Sequence, residues 1–336
     1  MKLSLILPCY NVGKYIDDCL KSIYSQDLPE NEYEVICVND CSTDNTVEII
    51  NSYKSRHNNL ILIEHTENKN LGAARNTGYN ISKGKYVWFI DSDDYIVENC
   101  LLKIVNELDR NNLEILEFNI NSTDKSKNQT FLEVNFQTGT EVITGIEYMY
   151  NLMNWGWGRK LEVWRRVFKK EFFQNNKLVF SESLYGIEDL VLFYQSMLVC
   201  KRFRHITDYF YFYRTNNSES ITNSKKSLGI KLAVKILAII EVIKIFHEDK
   251  IIQDENFKIR AAETYHWSIR KCYKKIFSLD KENIQQYLGI IKKQKQIIKK
   301  YGTNTEYFLT TNTLFVKCIN TIFAPLIEFR NYLKKN

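Results

Sequence analysis

Hydrophobic and polar positions follow two alternating periods over the first 120 residues. Short apolar runs, typical of strands buried on both faces, alternate with segments whose apolar residues recur at helical spacing. The predicted strands cover 3–7, 34–38, 60–63, 86–90 and 113–120, and the predicted helices cover 14–25, 43–53, 71–82 and 97–109. Strands that alternate with helices of this length predict βαβ units and a Rossmann-like, doubly wound, mostly parallel α/β sheet.

The pattern changes after residue 120. Residues 121–140 are polar and predict a loop or short hairpin, 141–200 have helical spacing with many aromatics, and 203–213 predict a strand. Beyond about residue 224 the spacing is helical and rich in lysine. We therefore expect a first domain at 1–222, with halves at 1–120 and 121–222, and a helical, Lys-rich C-terminal region at 223–336.

Composition narrows the class of protein. The 336 residues include only 12 glycines and 3 prolines, which excludes collagen-like and Pro-rich proteins. The net charge of +6 divides into −6 for residues 1–220 and +12 for 221–336. The eight cysteines are scattered without a CxxC pair, which predicts reduced thiols rather than a zinc site. The sequence has neither a signal-peptide pattern nor an apolar run of roughly 20 residues, so we expect a cytoplasmic protein.

Polar segments follow three predicted strands, at 8–11, 39–44 and 91–94. In an open parallel sheet, ligands bind where the carboxyl ends of strands meet. The sequence contains neither GxGxxG nor GxxxxGK[ST], so phosphates bound here would lack a glycine-rich cradle. A divalent metal held by Asp91 and Asp93 is the natural substitute. The alternative is that Asp40, Asp44, Asp91 and Ser92 only cap helices.

Four ordered motifs between residues 7 and 94 resemble the nucleotide-sugar domain of family 2 glycosyltransferases. They are Leu-Pro-Cys-Tyr-Asn at 7–11, Val-Asn-Asp-Cys-Ser-Thr-Asp at 38–44, Asn-Leu-Gly-Ala-Ala-Arg-Asn-Thr-Gly at 70–78, and Gly-Lys-Tyr-Val-Trp-Phe-Ile-Asp-Ser-Asp-Asp at 84–94. The resemblance continues more weakly through 164–168, 188–189 and 213–214 to about residue 222. It implies a GT-A fold and inverting transfer of a sugar from a nucleotide diphosphate.

The resemblance also assigns residues to the donor. It implies that Asp40 receives uracil, that Arg75 stands near the base or diphosphate, and that Asp91 meets the ribose. Asp93 would bind Mn²⁺ or Mg²⁺ between the phosphates. For Arg75 the alternative is a surface arginine, although its small neighbours on the predicted helix suggest close approach of a ligand. The remaining expected donor contacts are Pro8, Tyr10, Asn11, Ser92 and Arg214. Arg214 is expected near the diphosphate, and the alternative for it is an arginine at the end of a strand, in solvent.

Inverting transfer needs a carboxylate that takes the proton of the acceptor hydroxyl. Glu188 and Asp189 precede an apolar helix at 191–199 and resemble the family's Glu-Asp motif. We predict Asp189 as the base and Glu188 as the residue that orients acceptor or base; the alternative is two first-turn acids that favour the helix dipole. Trp157 is a candidate for stacking on the acceptor sugar, and otherwise a core aromatic.

The basic C-terminal region offers lysines beside apolar residues at 291–300 and 314–335. Lysines near an anionic leaflet and an amphipathic helix favour peripheral binding to the cytoplasmic face of the membrane through 291–335. The alternative is a helical bundle with a solvated lysine face. No pattern of a nucleic-acid-binding module is present, so we expect no nucleic-acid partner.

These features together predict a metal-dependent, inverting hexosyltransferase that uses a nucleotide-diphosphate sugar, most simply a UDP-sugar. The expected acceptor is a hydroxyl of a cell-surface glycan or lipid-linked acceptor, such as capsule, O-antigen or a teichoic-type polymer. The alternative is a non-catalytic nucleotide-sugar-binding or scaffold subunit. A nucleotidyltransferase is disfavoured, because the first loop at 7–11 is not Gly-rich.

Overall fold

A computed structural model describes most of the first 217 residues and a helix beyond them. The described residues are 1–122, 141–154, 161–184, 186–215, 217, 228–248, 269, 271–272, 275, 286–287 and 290–291. The chain divides into two compact units, Met1–Ser224 and Lys225–Asn336. The strands are β1 (Leu3–Cys9), β2 (Tyr33–Asn39), β3 (Leu60–Glu64), β4 (Tyr86–Phe89), β5 (Tyr95–Ile96), β6 (Ile115–Ser122), β7 (Arg166–Lys169) and β8 (Phe203–Tyr213). The α-helices are α1 (Ile16–Tyr24), α2 (Thr46–Lys54), α3 (Asn70–Ile81), α4 (Leu101–Arg110), α5 (Gly145–Asn154), α6 (Lys170–Asn175), α7 (Glu188–Val199) and α8 (Leu228–Glu248).

One mixed sheet of eight strands organises the first unit, in the order β3-β2-β1-β4-β7-β6-β8-β5. β1 pairs in parallel with β2 and β4, and β2 with β3, as the sequence predicts. β7 runs antiparallel between β4 and β6, and β8 runs parallel to β6. The helical prediction for 141–200 is therefore wrong at β7. The two apolar residues of β7 lie between Arg166 and Lys169, so the strand has no apolar run that would mark it. Arg166 is buried with its charge paired to Glu117, which lies on another strand.

Two helices begin later than the sequence predicts, because the residues before them form a strand or side-chain hydrogen bonds instead. Residues 95–96 form β5, and the backbone N–H of Val97 donates to Phe210 O at 3.0 Å, so α4 begins only at Leu101. α2 begins at Thr46, whose backbone N–H donates to Asp44 Oδ1 at 3.1 Å. Asp44 therefore has the capping role that the sequence left open.

The core lies on both faces of the parallel strands, and every residue of β1 is buried. On one face α3 lies close to β1, because position 78 is a glycine: a Cβ there would lie 2.4 Å from Ile6 Cγ2. Gly72 likewise lies against the backbone of Ser181, 2.8 Å from the position of a Cβ. Both glycines thus permit close packing of α3, and the approach of a ligand to the small residues beside Arg75 stays a prediction.

α8 is the long helix of the second unit and carries many apolar residues. Among the helices in the described part of the chain, none is long and apolar enough to cross a membrane.

Candidate active site

The loops after β1, β2 and β4 meet at one edge of the sheet. Ser92 Oγ donates to the carbonyl oxygen of Pro8 at 2.7 Å, which joins the fourth strand to the first. Asn11 joins the first loop to the second: its backbone N–H donates to Ser42 Oγ at 3.0 Å, and its Oδ1 accepts from Thr43 N at 2.8 Å. Asn11 has a φ of 52°, in the left-handed region that asparagine tolerates. Three predicted donor residues therefore lie in one hydrogen-bonded edge, beside the exposed Tyr10.

Asp40 is buried and held from two sides. Its Oδ1 accepts from the backbone N–H of Lys69 at 2.8 Å and lies 2.7 Å from His65 Nδ1. His65 Nε2 lies 2.9 Å from Thr77 Oγ1 of α3. Asp40 is not a cap of α2, since that helix begins six residues later. Sequence reasoning missed His65, although its position directly after β3, at the same edge of the sheet, was an available signal.

Arg75 lies at the centre of the site, with its side chain 1% exposed. Its NH1 donates to Glu188 Oε1 at 2.7 Å and to Asp189 Oδ1 at 2.6 Å, and its NH2 donates to Asp91 Oδ1 at 2.8 Å. This burial excludes the surface arginine that the sequence left open. One guanidinium therefore brings together the acidic loop after β4 and the acidic pair at the start of α7.

Three carboxylates around one cation leave this cluster negatively charged. Burial, followed by repulsion from Asp189, raises the pKa of Glu188 above its usual 4.5. Burial also raises the pKa of Asp189, against the opposing effect of Arg75. Within the described residues, Glu188 Oε2 is buried without a hydrogen-bond partner. A carboxylate with a raised pKa is better suited to accept a proton during a reaction.

Asp189 is the accessible member of the acidic pair. Its side chain is 20% exposed, whereas that of Glu188 is 3% exposed. Asp189 Oδ2 accepts from the backbone N–H of Val163 at 3.0 Å, so both of its oxygens have a fixed donor. Both acids lie in the first turn of α7, as the structural alternative expected, and they also form part of the Arg75 cluster.

Asp91, Asp93 and Asp94 form a second acidic group that shares Asp91 with the first. Each offers one oxygen, and these oxygens lie within 4.8 Å of one another. Asp94 is committed to the fold, since its two oxygens accept from Tyr211 OH and from the backbone N–H of Arg214, both at 2.7 Å. Asp93 Oδ2 accepts from Asn217 Nδ2 at 2.7 Å, and burial, with repulsion from Asp91, raises the pKa of Asp93.

These donors fit a hard divalent cation. Carboxylate oxygens are the ligands that Mg²⁺ and Mn²⁺ prefer, and a cation would offset the charge that three neighbouring carboxylates concentrate here. Asp91 uses Oδ1 for Arg75 and Asp93 uses Oδ2 for Asn217, which leaves the other oxygen of each for a ligand. α4 begins at Leu101, so neither Asp91 nor Ser92 caps it.

Arg214 lies beside this acidic group. Its Nε donates to the carbonyl oxygen of Asp93 at 2.8 Å, and its NH2 donates to Asp18 Oδ2 at 3.0 Å. Its guanidinium carbon lies 5.1 Å from the centre of the Tyr15 ring, so the side chain is half-buried rather than free in solvent. Trp157, the candidate for acceptor stacking, lies outside the described residues.

Tyr211, which was not singled out from the sequence, and Trp164, which begins the weakly similar segment 164–168, support the site. Tyr211 OH accepts from the backbone N–H of Asp91 at 3.2 Å and donates to Asp94. The Trp164 ring stacks on Tyr211 with centroids 4.5 Å apart, and Trp164 O accepts from Trp88 Nε1 at 2.6 Å. In a run of alternating tyrosine and phenylalanine, the sequence gives no signal for which hydroxyl faces a carboxylate.

Comparison with known proteins identifies the family. Residues 4–198 match the family model described as glycosyl transferase family 2. A poly(ribitol-phosphate) beta-glucosyltransferase of Bacillus spizizenii is 32% identical over 63% of this chain and 32% of its own length. The poly(ribitol-phosphate) beta-N-acetylglucosaminyltransferase TarS of Staphylococcus aureus is 27% identical over 76% of this chain and 43% of its own length. The matched segments thus span less than half of either relative.

A solved structure supports the fold. The crystal structure of S. aureus TarS 1–349 in complex with UDP-GlcNAc superposes with a TM-score of 0.68 at 23% identity, covering 89% of this chain and 82% of that one. The predicted α/β fold of the GT-A type is therefore confirmed. Because the family model covers more than half of the chain, the predicted membership is confirmed as well: the chain belongs to glycosyl transferase family 2.

Proposed function

We propose that this protein transfers a hexose or N-acetylhexosamine from a UDP-sugar to a hydroxyl of a cell-surface glycan, with inversion at the anomeric carbon. The observation that carries the proposal is the Arg75 cluster, in which one buried guanidinium joins the acidic loop after β4 to Asp189. The relatives favour a polyol-phosphate polymer of the teichoic type as acceptor, because two of them are named for poly(ribitol-phosphate). The complex of TarS with UDP-GlcNAc favours a UDP-sugar donor.

In this mechanism Asp189 is the general base. The acceptor oxygen forms a bond to the anomeric carbon, its proton passes to Asp189, and the bond from that carbon to the diphosphate breaks with its electron pair leaving on UDP. Arg75 and the N–H of Val163 hold the two carboxylate oxygens, and the raised pKa of Asp189 favours proton uptake. Such a base contributes about 10²–10⁴ in rate. Glu188, which is buried against Arg75, orients the base.

The donor would lie along the edge formed by the three loops. Asp40, oriented by His65, receives the uracil base, and the backbone near Pro8, Tyr10 and Asn11 lines its pocket. Asp91 and Ser92 would contact the ribose, and Arg214 would lie near the diphosphate. Asp93, with Asp91, would hold Mn²⁺ or Mg²⁺, which when bound neutralises charge that develops on the departing diphosphate.

The two compact units suggest two separate functions, catalysis and membrane binding. We assign catalysis to 1–222, with the donor in 1–120 and the acceptor in 121–222, and a separate role to 223–336. The +12 charge of residues 221–336 suits peripheral binding to an anionic membrane on the cytoplasmic side, where a lipid-linked acceptor would lie. No feature of the chain calls for nucleic acid.

The test combines a donor panel with one variant. The full chain is incubated with UDP- and GDP-sugars, Mn²⁺ or Mg²⁺ and poly(ribitol phosphate), and release of the nucleoside diphosphate is measured. For Asp189→Asn we expect donor binding within about twofold of the parent and turnover reduced about 10²–10⁴-fold. The matched control is Asp208→Asn, which removes a carboxylate of β8 that is paired with Lys103 of α4, and this variant should react normally.

Two outcomes would contradict the proposal. Normal turnover by Asp189→Asn would exclude this residue as the base. Donor binding without turnover for every sugar and acceptor tried would favour the alternative of a non-catalytic nucleotide-sugar-binding subunit.

A further inference from the structure

A single peptide group connects Asp189 to a second buried cluster. The N–H of Val163 donates to Asp189 Oδ2 at 3.0 Å, and Arg166 NH1 donates to the carbonyl oxygen of Glu162 at 2.9 Å. The carbonyl of residue 162 and the N–H of residue 163 belong to the same rigid, planar peptide unit. Arg166 and Asp189 are therefore hydrogen-bonded to opposite sides of the same peptide group.

Arg166 is firmly anchored on the side away from Asp189. It begins β7, is almost fully buried, and forms an ion pair with Glu117 of the neighbouring strand β6. Glu117 also accepts from Tyr148 OH and lies 3.0 Å from His205 Nδ1. Although burial by itself raises the pKa of a carboxyl group, the attraction of Arg166 and its neighbours holds the pKa of Glu117 well below its usual 4.5. The pair therefore stays charged and fixes the guanidinium.

The same arginine also contacts the helix that carries the base. The Arg166 guanidinium carbon lies 4.6 Å from the centre of the Phe193 ring, one turn along α7 from Asp189. The 3₁₀ turn Val163–Arg165 directly precedes Arg166 in the chain, and its middle residue, Trp164, is stacked on Tyr211. The orientation of the 162–163 peptide is thus set by a charged side chain on one side and used by Asp189 on the other.

Stability alone is a weak reason for such an arrangement. Replacing a buried ion pair by well-packed apolar residues is often neutral or stabilising, so a fold gains little by burying Arg166 against Glu117. A cation on a carbonyl polarises its peptide, and linked hydrogen bonds strengthen one another, which makes the N–H of Val163 a better donor. Displacing a reacting group by about 1 Å costs about 100-fold in rate, so fixing the carboxylate plane has catalytic value.

We propose that Arg166, held by Glu117, is a positioning residue for Asp189: it sets the plane of the 162–163 peptide, whose N–H fixes the base carboxylate against Arg75. This inference rests on the proposed role of Asp189 as the base. It assigns a role in turnover to residues of β6 and β7 that touch neither donor nor acceptor.

The first test is Arg166→Lys in the full chain. Lysine keeps the charge that Glu117 needs for folding, but its ammonium lacks the planar fork that serves Glu117 and the Glu162 carbonyl together. We expect kcat for UDP release from UDP-GlcNAc or UDP-glucose, with poly(ribitol phosphate) as acceptor, to fall about 10–100-fold while the donor KM changes by less than about twofold. The matched control is Arg204→Lys, which alters a pair between β8 and α4 (Arg204 NH1 to Glu107 Oε2, 2.9 Å) and should leave kcat unchanged.

The second test removes the N–H itself. Val163→Pro deletes the donor to Asp189, and the backbone fits proline, since Val163 begins the 3₁₀ turn and Glu162 has the extended ψ of 131° that precedes proline well. The Cδ of the proline ring would stand where the N–H points, so the Asp189 carboxylate, 3.0 Å from that nitrogen, must also move from its position against Arg75. Val163→Ala keeps the N–H and is its control. We expect Val163→Pro to reproduce the loss of kcat seen for Arg166→Lys, and Val163→Ala to retain parental kcat.

The outcomes separate this inference from the proposed function. A kcat for Arg166→Lys equal to that of Arg204→Lys would overturn the positioning role, as would a rise in donor KM that matches the fall in kcat. If Asp189→Asn is inactive while Arg166→Lys and Val163→Pro turn over normally, only the positioning role fails. If Asp189→Asn itself turns over normally, the proposed function fails with it.

Discussion

Arg75→Met should destabilise the first unit strongly, because it removes the cation shared by three carboxylates. Methionine matches the arginine side chain in reach as far as Nε and lacks only the guanidinium carbon and its two terminal nitrogens, so the change chiefly removes charge and hydrogen bonds. Glu188, Asp189 and Asp91 each lie within 2.8 Å of the guanidinium, and the two acids other than Glu188 are partly exposed. The variant therefore leaves one fully buried carboxylate and two partly screened ones without their shared cation.

The expected magnitude follows from this burial. Removing one member of a buried ion pair costs about 3–5 kcal/mol, because the remaining charge stays buried without compensation. Partial exposure of Asp91 and Asp189 lets water take over some of the lost stabilisation, which places the expectation near 3 kcal/mol rather than above 5. For a unit of this size, each kcal/mol lowers Tm by about 2–4 °C, so a fall of about 6–12 °C is expected.

The loss should depend on pH with a definite sign. Without Arg75, burial and mutual repulsion raise the pKa values of Glu188 and Asp189 further above their usual range. A carboxyl group whose pKa is higher in the folded than in the unfolded state makes the fold more stable as pH falls. The deficit of Arg75→Met relative to the parent should therefore shrink between about pH 8 and pH 5. Urea unfolding followed by circular dichroism measures it, with Arg56→Met as control, since Arg56 lies at the surface of the first unit, over the Tyr53 ring. A deficit below about 1 kcal/mol, or one that does not change with pH, would refute the role of Arg75 as the shared counter-charge.

Three further predictions concern other parts of the chain. Asp93→Asn should abolish any rise in Tm produced by Mn²⁺ while Asp208→Asn retains it, and an equal rise in both variants would place the cation elsewhere. Glu117→Gln should cost about 3–5 kcal/mol in urea unfolding at pH 7, because it removes the carboxylate that forms the buried ion pair with Arg166. Since the pKa of Glu117 is lowered, its stabilisation is present above about pH 4.5 and is lost as pH falls further, so the deficit should be smaller at pH 4 than at pH 7. Replacing five tail lysines by glutamine should weaken the binding free energy for phosphatidylglycerol vesicles, measured by co-sedimentation, by about 1 kcal/mol per lysine. Binding to phosphatidylcholine vesicles should not change. An equal loss when five control lysines are replaced instead, or no loss at all, would contradict membrane binding through the tail. The tail lysines are Lys292, Lys293, Lys295, Lys299 and Lys300; the control lysines, exposed in the first unit, are Lys21, Lys54, Lys83, Lys177 and Lys201.

The parts of the fold that could be predicted are those with local signals. The strands from β1 to β4 are continuous apolar runs, and the helices between them repeat apolar residues at helical spacing, so hydrophobic period alone places them. β7 could not be found in this way. Its first residue, Arg166, is a buried cation that forms an ion pair with Glu117, and that partner lies on a strand 49 positions earlier in the chain.

The candidate site divides along the same line. The acidic loop after β4 and the pair Glu188 and Asp189 could be picked out, because carboxylates at strand and helix ends suggest chemistry even without coordinates. Their meeting through Arg75 could not, since it depends on how the chain folds between α3 and α7, about 110 residues apart along the sequence, and no local pattern specifies that. His65 shows an intermediate case: its position after β3 was informative, but its partner Asp40 follows a different strand.

The least predictable link in the site is the peptide between Glu162 and Val163. A backbone N–H occurs at every residue except proline, so no residue type marks the one that donates to Asp189. What the sequence does contain is the residue that orients this peptide. Arg166 is a charged residue in a buried strand, where a charge is stable only with a partner. The buried pair of Arg166 and Glu117 is difficult to explain by packing and simple to explain if it fixes a peptide that the base uses. Buried charge outside the acidic motifs is therefore a better guide to the support of this site than the motifs themselves.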